Sequence, residues 1–142
     1  MKVFAHMKKV LVTGVFDILH AEHIQFLQKA KKIGEYLVIG IESDVRVKKM
    51  KGADRPVNSQ EKRVENLKKL NLADEVFILP EQFSKPEDHS ALIQKIRPQF
   101  LAVSSHTKHL DRKRAIVESF GGTVVVVHQH NPKVSTTQLL KK

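Results

Sequence analysis

Five short apolar runs recur along the chain, and polar residues do not alternate within them. They are rich in β-branched residues and cover residues 10–12, 36–41, 76–79, 100–103 and 124–127. Continuous apolar runs of this length are typical of parallel strands that are covered on both faces. We therefore predict five buried strands.

Between these runs, apolar residues recur at helical spacing. One helix is predicted to begin near His20 and to end near Gly34, a suitable glycine for a helix C-terminus. A second follows Asn58, with Glu61 three residues on in a capping-box pattern. Further helices are predicted over residues 88–96, over residues 110–120 and from Ser135 onward. The segments 48–59 and 80–87 are interpreted as mobile loops.

Strands and helices thus alternate along the whole chain. Such alternation predicts a single α/β domain over residues 1–142 with right-handed crossovers. The expected fold is a Rossmann-like, doubly wound, five-stranded parallel sheet with helices on both faces.

Composition narrows the class of protein. The chain has 142 residues, 41% of them hydrophobic, which suits one domain with a real core. Cysteine is absent, so disulfides and thiolate metal sites are excluded. No apolar run reaches the roughly 20 residues of a membrane span, and no secretory signal is visible. A cytoplasmic location with no membrane partner is expected.

The charge of the chain points to anionic partners. There are 25 Lys and Arg against 15 Asp and Glu, a net charge of +10, which favours nucleotides, phosphorylated metabolites or nucleic acid. With one Tyr and no Trp there is little material for stacking on bases. No nucleic-acid recognition pattern is present, so we do not expect a nucleic-acid partner.

The turn after the first strand carries the candidate chemistry. In open α/β sheets, ligands bind beyond the carboxyl ends of the strands, where the strand order reverses. Here Gly14 would let a phosphate approach the backbone, and His20 and His23 would share one face of a first helical turn. A helix N-terminus attracts anions. Metal ligation is the alternative for the two histidines, but no third ligand pattern is evident beyond the nearby Asp17 and Glu22.

The segment 12–23, Val-Thr-Gly-Val-Phe-Asp-Ile-Leu-His-Ala-Glu-His, resembles the G-x-F-D-x-x-H-x-G-H signature of cytidylyltransferase-like nucleotidyltransferases. It is most similar to the nucleotidyl domain of bacterial ADP-heptose synthases, and also to glycerol-3-phosphate cytidylyltransferase and archaeal FAD synthetase. The likeness continues in order through residues 43–44, 47–52, 55–58, 61–63, 73–76 and 135–137.

This resemblance implies an enzyme that transfers a nucleoside monophosphate from an NTP to a phosphorylated small molecule such as a sugar phosphate. ATP is favoured as donor and CTP is possible; Mg²⁺ would accompany the NTP, and a homodimer would be usual. The implied catalytic residues are His20, His23 and Lys51, and the implied acceptor-binding residues are Lys48 and Arg55. The implied nucleotide-binding residues are Thr13, Gly14, Val15, Phe16, Asp17, Arg63, Ser135, Thr136 and Thr137.

Two positions depart from the family pattern. Glu22 replaces the glycine of H-x-G-H, and its bulk and negative charge are expected to weaken NTP binding unless the side chain turns away. His106 stands where relatives commonly carry an acidic residue after the fourth strand. The alternative function is therefore a nucleotide-binding module of the same fold with weakened or lost catalysis.

Overall fold

The computed structural model describes residues 7–129. Its centre is a five-stranded parallel sheet in the order β3-β2-β1-β4-β5. The strands are β1 (Lys9–Gly14), β2 (Tyr36–Ile41), β3 (Glu75–Ile78), β4 (Phe100–Ser104) and β5 (Thr123–His128). The chain winds outward from β1 in both directions, so the strand order reverses between β1 and β4.

Helices cover both faces of this sheet. They are α1 (Ala21–Lys32), α2 (Asp44–Lys51), α3 (Gln60–Lys69), α4 (Pro86–Ile96) and α5 (Leu110–Ser119). The predicted Rossmann-like, doubly wound fold is therefore confirmed. Within the described part of the chain, no helix is long and apolar enough to cross a membrane.

Alternate residues of β1 point to opposite faces, as pleating requires. Val10 and Val12 lie in one core cluster with Leu27 of α1 and Leu67 of α3. Leu11 lies in the second cluster, which also contains the following residues of α4 and α5: Leu92, Ile93 and Val117. Two separate cores thus cover β1 on both sides, which explains its uninterrupted apolar run.

The segment 48–59 is not one loop. Residues 48–51 form the last turn of α2, which the sequence analysis did not predict. Ser43 begins this helix by accepting a hydrogen bond from the Arg46 main-chain N–H at 3.2 Å. The helix has little apolar periodicity because Val47 is its one buried residue. Its basic end therefore sits on a fixed element, and only residues 52–59 form the loop.

Helix boundaries also shift by one or two residues. The cap of α3 is Ser59, whose hydroxyl accepts from the Lys62 N–H at 3.2 Å, and not Asn58. Helix α4 begins at Pro86, two residues before the predicted start. The helix predicted from Ser135 lies outside the described residues.

Arg63 of α3 is fully buried and joins three segments at the carboxyl ends of the strands. Its Nη1 donates to the Val15 carbonyl at 3.0 Å and to the Glu42 carbonyl at 2.8 Å. Its Nε donates to the Asn58 carbonyl at 3.1 Å, and its Nη2 donates to Asp44 Oδ1 at 2.8 Å. The turn after β1, the end of β2 and the start of α2 are therefore held by one guanidinium.

We predict that Arg63→Met lowers the free energy of unfolding by about 3–5 kcal/mol, because the buried carbonyls and Asp44 lose their donors. Arg63→Lys should recover only part of this loss, since an ammonium cannot present the forked geometry of a guanidinium. Urea unfolding of both variants measures the effect, with the exposed Arg112→Met as control. Equal stability of the Met variant and the wild type would contradict this role.

Candidate active site

A cavity of about 330 Å³ opens at the carboxyl ends of β1 and β4, where the strand order reverses. Its walls come from the turn after β1, the start of α1, the end of α2 and the segment after β4. It brings together most of the residues predicted from sequence: Thr13, Gly14, Val15, Phe16, Asp17, His20, His23, Lys51 and Arg55.

Two imidazoles stack at the start of α1. His20 is the N-terminal cap residue and His23 lies in the first turn; their ring centroids are 3.9 Å apart and the planes are inclined by 21°. Burial is the main cause that lowers the pKa of His23 to about 4, with repulsion from His20 second. His23 is therefore a neutral imidazole at neutral pH. A bound anion would favour its protonated form.

The backbone of the β1–α1 turn is shaped by a glycine and an aromatic ring. A Cβ on Gly14 would lie 2.8 Å from Cε2 of Phe16, so only glycine lets this ring pack against the turn. Phe16 has a φ of 50° and is buried, with its ring centroid 5.3 Å from that of His23 and the two planes inclined by 64°. The Phe16 ring thereby packs against His23, one member of the histidine pair.

Asp17 fastens the loop 52–59 to this turn. Its carboxylate oxygens accept from the main-chain N–H groups of Val57 and Asn58, each at 2.8 Å. The Asn58 side-chain amide donates back to the Asp17 carbonyl at 2.8 Å. Asp17 lines the cavity as predicted, but its carboxylate is engaged by the protein itself, which suits a positioning role.

Arg55 is the buried cation of this loop. It is 8% exposed, and its Nε lies 3.5 Å from Asp17 Oδ2. Within the described residues, its Nε and Nη2 are buried without a hydrogen-bond partner. A buried donor without a partner is unfavourable. Because Arg55 lines the cavity, a bound anion would satisfy these donors.

Lys51 lies beside Arg55 at the end of α2. Partial burial is the main cause that lowers the pKa of Lys51, and repulsion from Arg55 is the second. Asp17 opposes this shift. Two cations that repel each other on one wall indicate a site built for a strongly anionic ligand.

Two side chains that the sequence analysis did not single out also line the cavity. Lys113 of α5 donates to Thr107 Oγ1 at 2.6 Å, and burial is the main cause that lowers its pKa. His128 ends β5 and lies opposite the start of α1. The rule that ligands bind at carboxyl ends of strands could have drawn attention to His128, because it is the polar residue that follows the last apolar run.

The structure does not bring every predicted residue to the cavity. Arg63 is buried behind the turn, so its predicted direct contact with a nucleotide gives way to the structural role described above. Lys48 is exposed on α2 and does not line the cavity. Ser135, Thr136 and Thr137 lie outside the described residues.

The departures from the family pattern both reach the cavity. Glu22 Oε1 lies 3.1 Å from Nε2 of His128, so its carboxylate is directed to β5. His106 Nδ1 lies 2.6 Å from the Ser104 hydroxyl. Among residues 7–129, no group of three or more His, Asp or Glu side chains is arranged to hold a metal ion.

Residues 11–142 match the cytidylyltransferase-like family. The chain belongs to this family. The family signature over residues 12–23 is the segment that forms the floor of the cavity and the start of α1. The resemblance stated from the sequence is thereby confirmed.

Members similar to this chain include two bacterial proteins named bifunctional protein HldE. That of Geotalea uraniireducens is 36% identical over 134 residues, which cover 94% of this chain and 26% of the relative. That of Geobacter sulfurreducens is 37% identical over 141 residues, covering 97% and 27%. This cytidylyltransferase-like chain therefore spans about a quarter of the length of these relatives.

The fold is shared with a lipopolysaccharide core biosynthesis protein from Thermoplasma volcanium. Its crystal structure superposes with a TM-score of 0.69 at 23% identity, covering 88% of this chain and 97% of that one. At this level of identity the likeness establishes the fold.

We predict that the His23 site makes stability depend on pH. Burial and the neighbouring His20 lower the pKa of His23 from 6.5 to about 4 in the folded chain, so the unfolded chain binds the proton first. The stabilising contribution is complete above pH 6.5 and is lost as pH falls towards 4, by at most about 3 kcal/mol. Urea unfolding across this range, with His23→Gln for comparison, measures it. The same pH slope in both proteins would contradict the prediction.

Proposed function

We propose that the chain is a nucleotidyltransferase that transfers a nucleoside monophosphate from an NTP to a phosphorylated small molecule and releases pyrophosphate. One observation carries the proposal. The His20–His23 pair at a helix N-terminus shares a cavity with the buried guanidinium of Arg55, whose Nε and Nη2 have no hydrogen-bond partner among the described residues. This arrangement offers two groups of donors to two anionic reactants.

In the proposed reaction, a phosphate oxygen of the acceptor attacks the α-phosphorus of the NTP. The bond from this phosphorus to the oxygen that bridges the α- and β-phosphates breaks, and pyrophosphate leaves with the electron pair. Such transfers depend on alignment and on neutralisation of charge. No covalent intermediate with the protein is required.

His20 and His23 would bind the triphosphate at the N-terminus of α1 and stabilise the charge that grows on the departing pyrophosphate. Their position supports this role because the dipole of α1 adds positive potential at the same point. Burial keeps His23 neutral before binding. The arriving phosphates would strengthen its hydrogen bonds as they favour its protonation.

Arg55 and Lys51 would hold the phosphate of the acceptor against that of the NTP. Arg55 presents buried N–H groups to the cavity, and Lys51 adds a second positive charge. With both anions bound, repulsion between the two cations would be relieved. Lys48, one turn earlier on α2, would contribute only at the rim.

Mg²⁺ is expected to accompany the NTP. The carboxylate of Asp17 accepts two main-chain N–H groups, and that of Glu22 pairs with His128. Because both carboxylates already have partners in the protein, we expect phosphate oxygens and water to coordinate the ion. When bound there, it would neutralise part of the triphosphate charge.

The resemblance to ADP-heptose synthases supports ATP as the donor and a sugar phosphate as the acceptor, with CTP as the alternative donor. A homodimer is expected on the same basis. A module that binds nucleotide without catalysis is less favoured, because the carboxylate of Glu22, the reason for considering it, pairs with His128.

We predict that the chain releases pyrophosphate from ATP or CTP in the presence of a suitable sugar phosphate. His20→Ala should lower kcat by about 10²–10³-fold, because donors to developing charge act mainly in the transition state. A coupled pyrophosphate assay measures this, with the exposed Gln25→Ala on the same helix as control. A folded His20→Ala variant with an unchanged rate would contradict the role of His20.

We predict that Arg55→Met raises KM for the acceptor by about 10- to 100-fold, since charge-assisted hydrogen bonds to a phosphate are lost. KM for the NTP should change by less than about threefold. Steady-state kinetics with each substrate varied in turn separates the two, and Arg112→Met controls for the loss of one positive charge. A rise confined to KM for the NTP would instead place Arg55 on the nucleotide.

A further inference from the structure

A line of three polar side chains connects α1 to the end of β5. Lys29 Nζ lies 3.0 Å from His128 Nδ1, and His128 Nε2 lies 3.1 Å from Glu22 Oε1. His128 is buried at 7% exposure, with its ring 6.5 Å from that of Phe26. The line runs along the edge of the cavity, which both Glu22 and His128 help to form.

The chemistry of the outer two groups fixes the direction of the hydrogen bonds. An ammonium can only donate, so Lys29 donates to Nδ1 of His128. The ring then carries its proton on Nε2 and donates it to the Glu22 carboxylate. One imidazole thus joins a cation outside the cavity to an anion at its edge.

Glu22 would occupy another place if His128 did not hold it. It lies in the first turn of α1, where a carboxylate is attracted by the positive end of the helix dipole. That end is also where His20 and His23 would receive the triphosphate. As part of the same chain, the carboxylate would compete with phosphate at a high effective concentration.

The position of Glu22 is consistent with its being turned away from the histidines. Of the charged groups that affect the pKa of His23, Glu22 contributes least, after His20 and Lys51. Glu22 nevertheless directly precedes His23 in the sequence. A carboxylate folded over the first turn would have a larger influence.

We propose that His128 is a positioning residue that holds Glu22 against β5 and so keeps the N-terminus of α1 open for phosphate. Lys29 supports this by fixing which nitrogen of His128 carries the proton. The inference rests on the proposed function for the nature of the anion. It explains how a glutamate can stand where the family signature has glycine.

The test is a comparison of His128→Leu in two backgrounds, the wild type and Glu22→Gly. Binding of Mg-ATP, Mg-CTP and inorganic tripolyphosphate is measured by calorimetry. His128→Leu should weaken binding by about tenfold, and Glu22→Gly should remove this loss. His128→Gln should bind nearly as the wild type does, because its amide can accept from Lys29 and donate to Glu22.

Lys29→Met should weaken the hold of His128 on Glu22 to a smaller extent. Lys32 is exposed on the same helix, so Lys32→Met is the matched control. Lys29→Met should weaken binding by about threefold and Lys32→Met by much less. This pair, measured in both backgrounds, decides the question if His128→Leu does not fold. Equal losses with Glu22 and with Gly at position 22, or no loss with either substitution, would overturn the proposal.

A measurement without nucleotide separates this inference from the proposed function. In His128→Leu the NMR titration of His23 should move to higher pH, because the released carboxylate favours the imidazolium. In the Glu22→Gly background it should not move. An unchanged titration would overturn the positioning role, whereas a wild type that binds no NTP would overturn only the proposed function.

Discussion

A guanidinium with no exposed surface holds together the turns at the carboxyl end of this sheet. Arg63 donates to the carbonyls of Val15 and Glu42, which belong to the turns after two neighbouring strands. Main-chain carbonyls that are partly buried at the ends of strands need hydrogen-bond donors. The rigid fork of Arg63 meets that need with three hydrogen bonds to main-chain carbonyls and one to Asp44, so the turns acquire a single arrangement.

The cavity depends on Arg63 indirectly, through Asn58. The Asn58 carbonyl also binds Arg63, and its main-chain N–H binds Asp17, so the loop 52–59 is tied to the same framework. That loop carries Arg55 into the cavity with unsatisfied donors. The cavity is thus held open by protein hydrogen bonds, with a repulsion between Arg55 and Lys51 that a bound anion would relieve.

The glutamate that replaces glycine in the signature is accommodated by a contact with the edge strand β5. The carboxylate of Glu22 finds a donor in His128, and Lys29 balances the charge from solvent. The effect of a residue at a motif position therefore depends on the side chains around it. Its effect depends on a contact between residues 106 positions apart.

Sequence alone determined the strands, the fold class and the histidine pair, because each depends on local periodicity or on position beside the first strand. It did not predict α2, whose one buried residue gives no periodic signal. It assigned Arg63 to the nucleotide and left open where the Glu22 side chain points. Tertiary structure decided those positions. Arg63 is buried by packing from three segments, and Glu22 is directed by a partner on β5. Spacing along a chain reports which face a side chain occupies, whereas the partner it meets there depends on the fold as a whole.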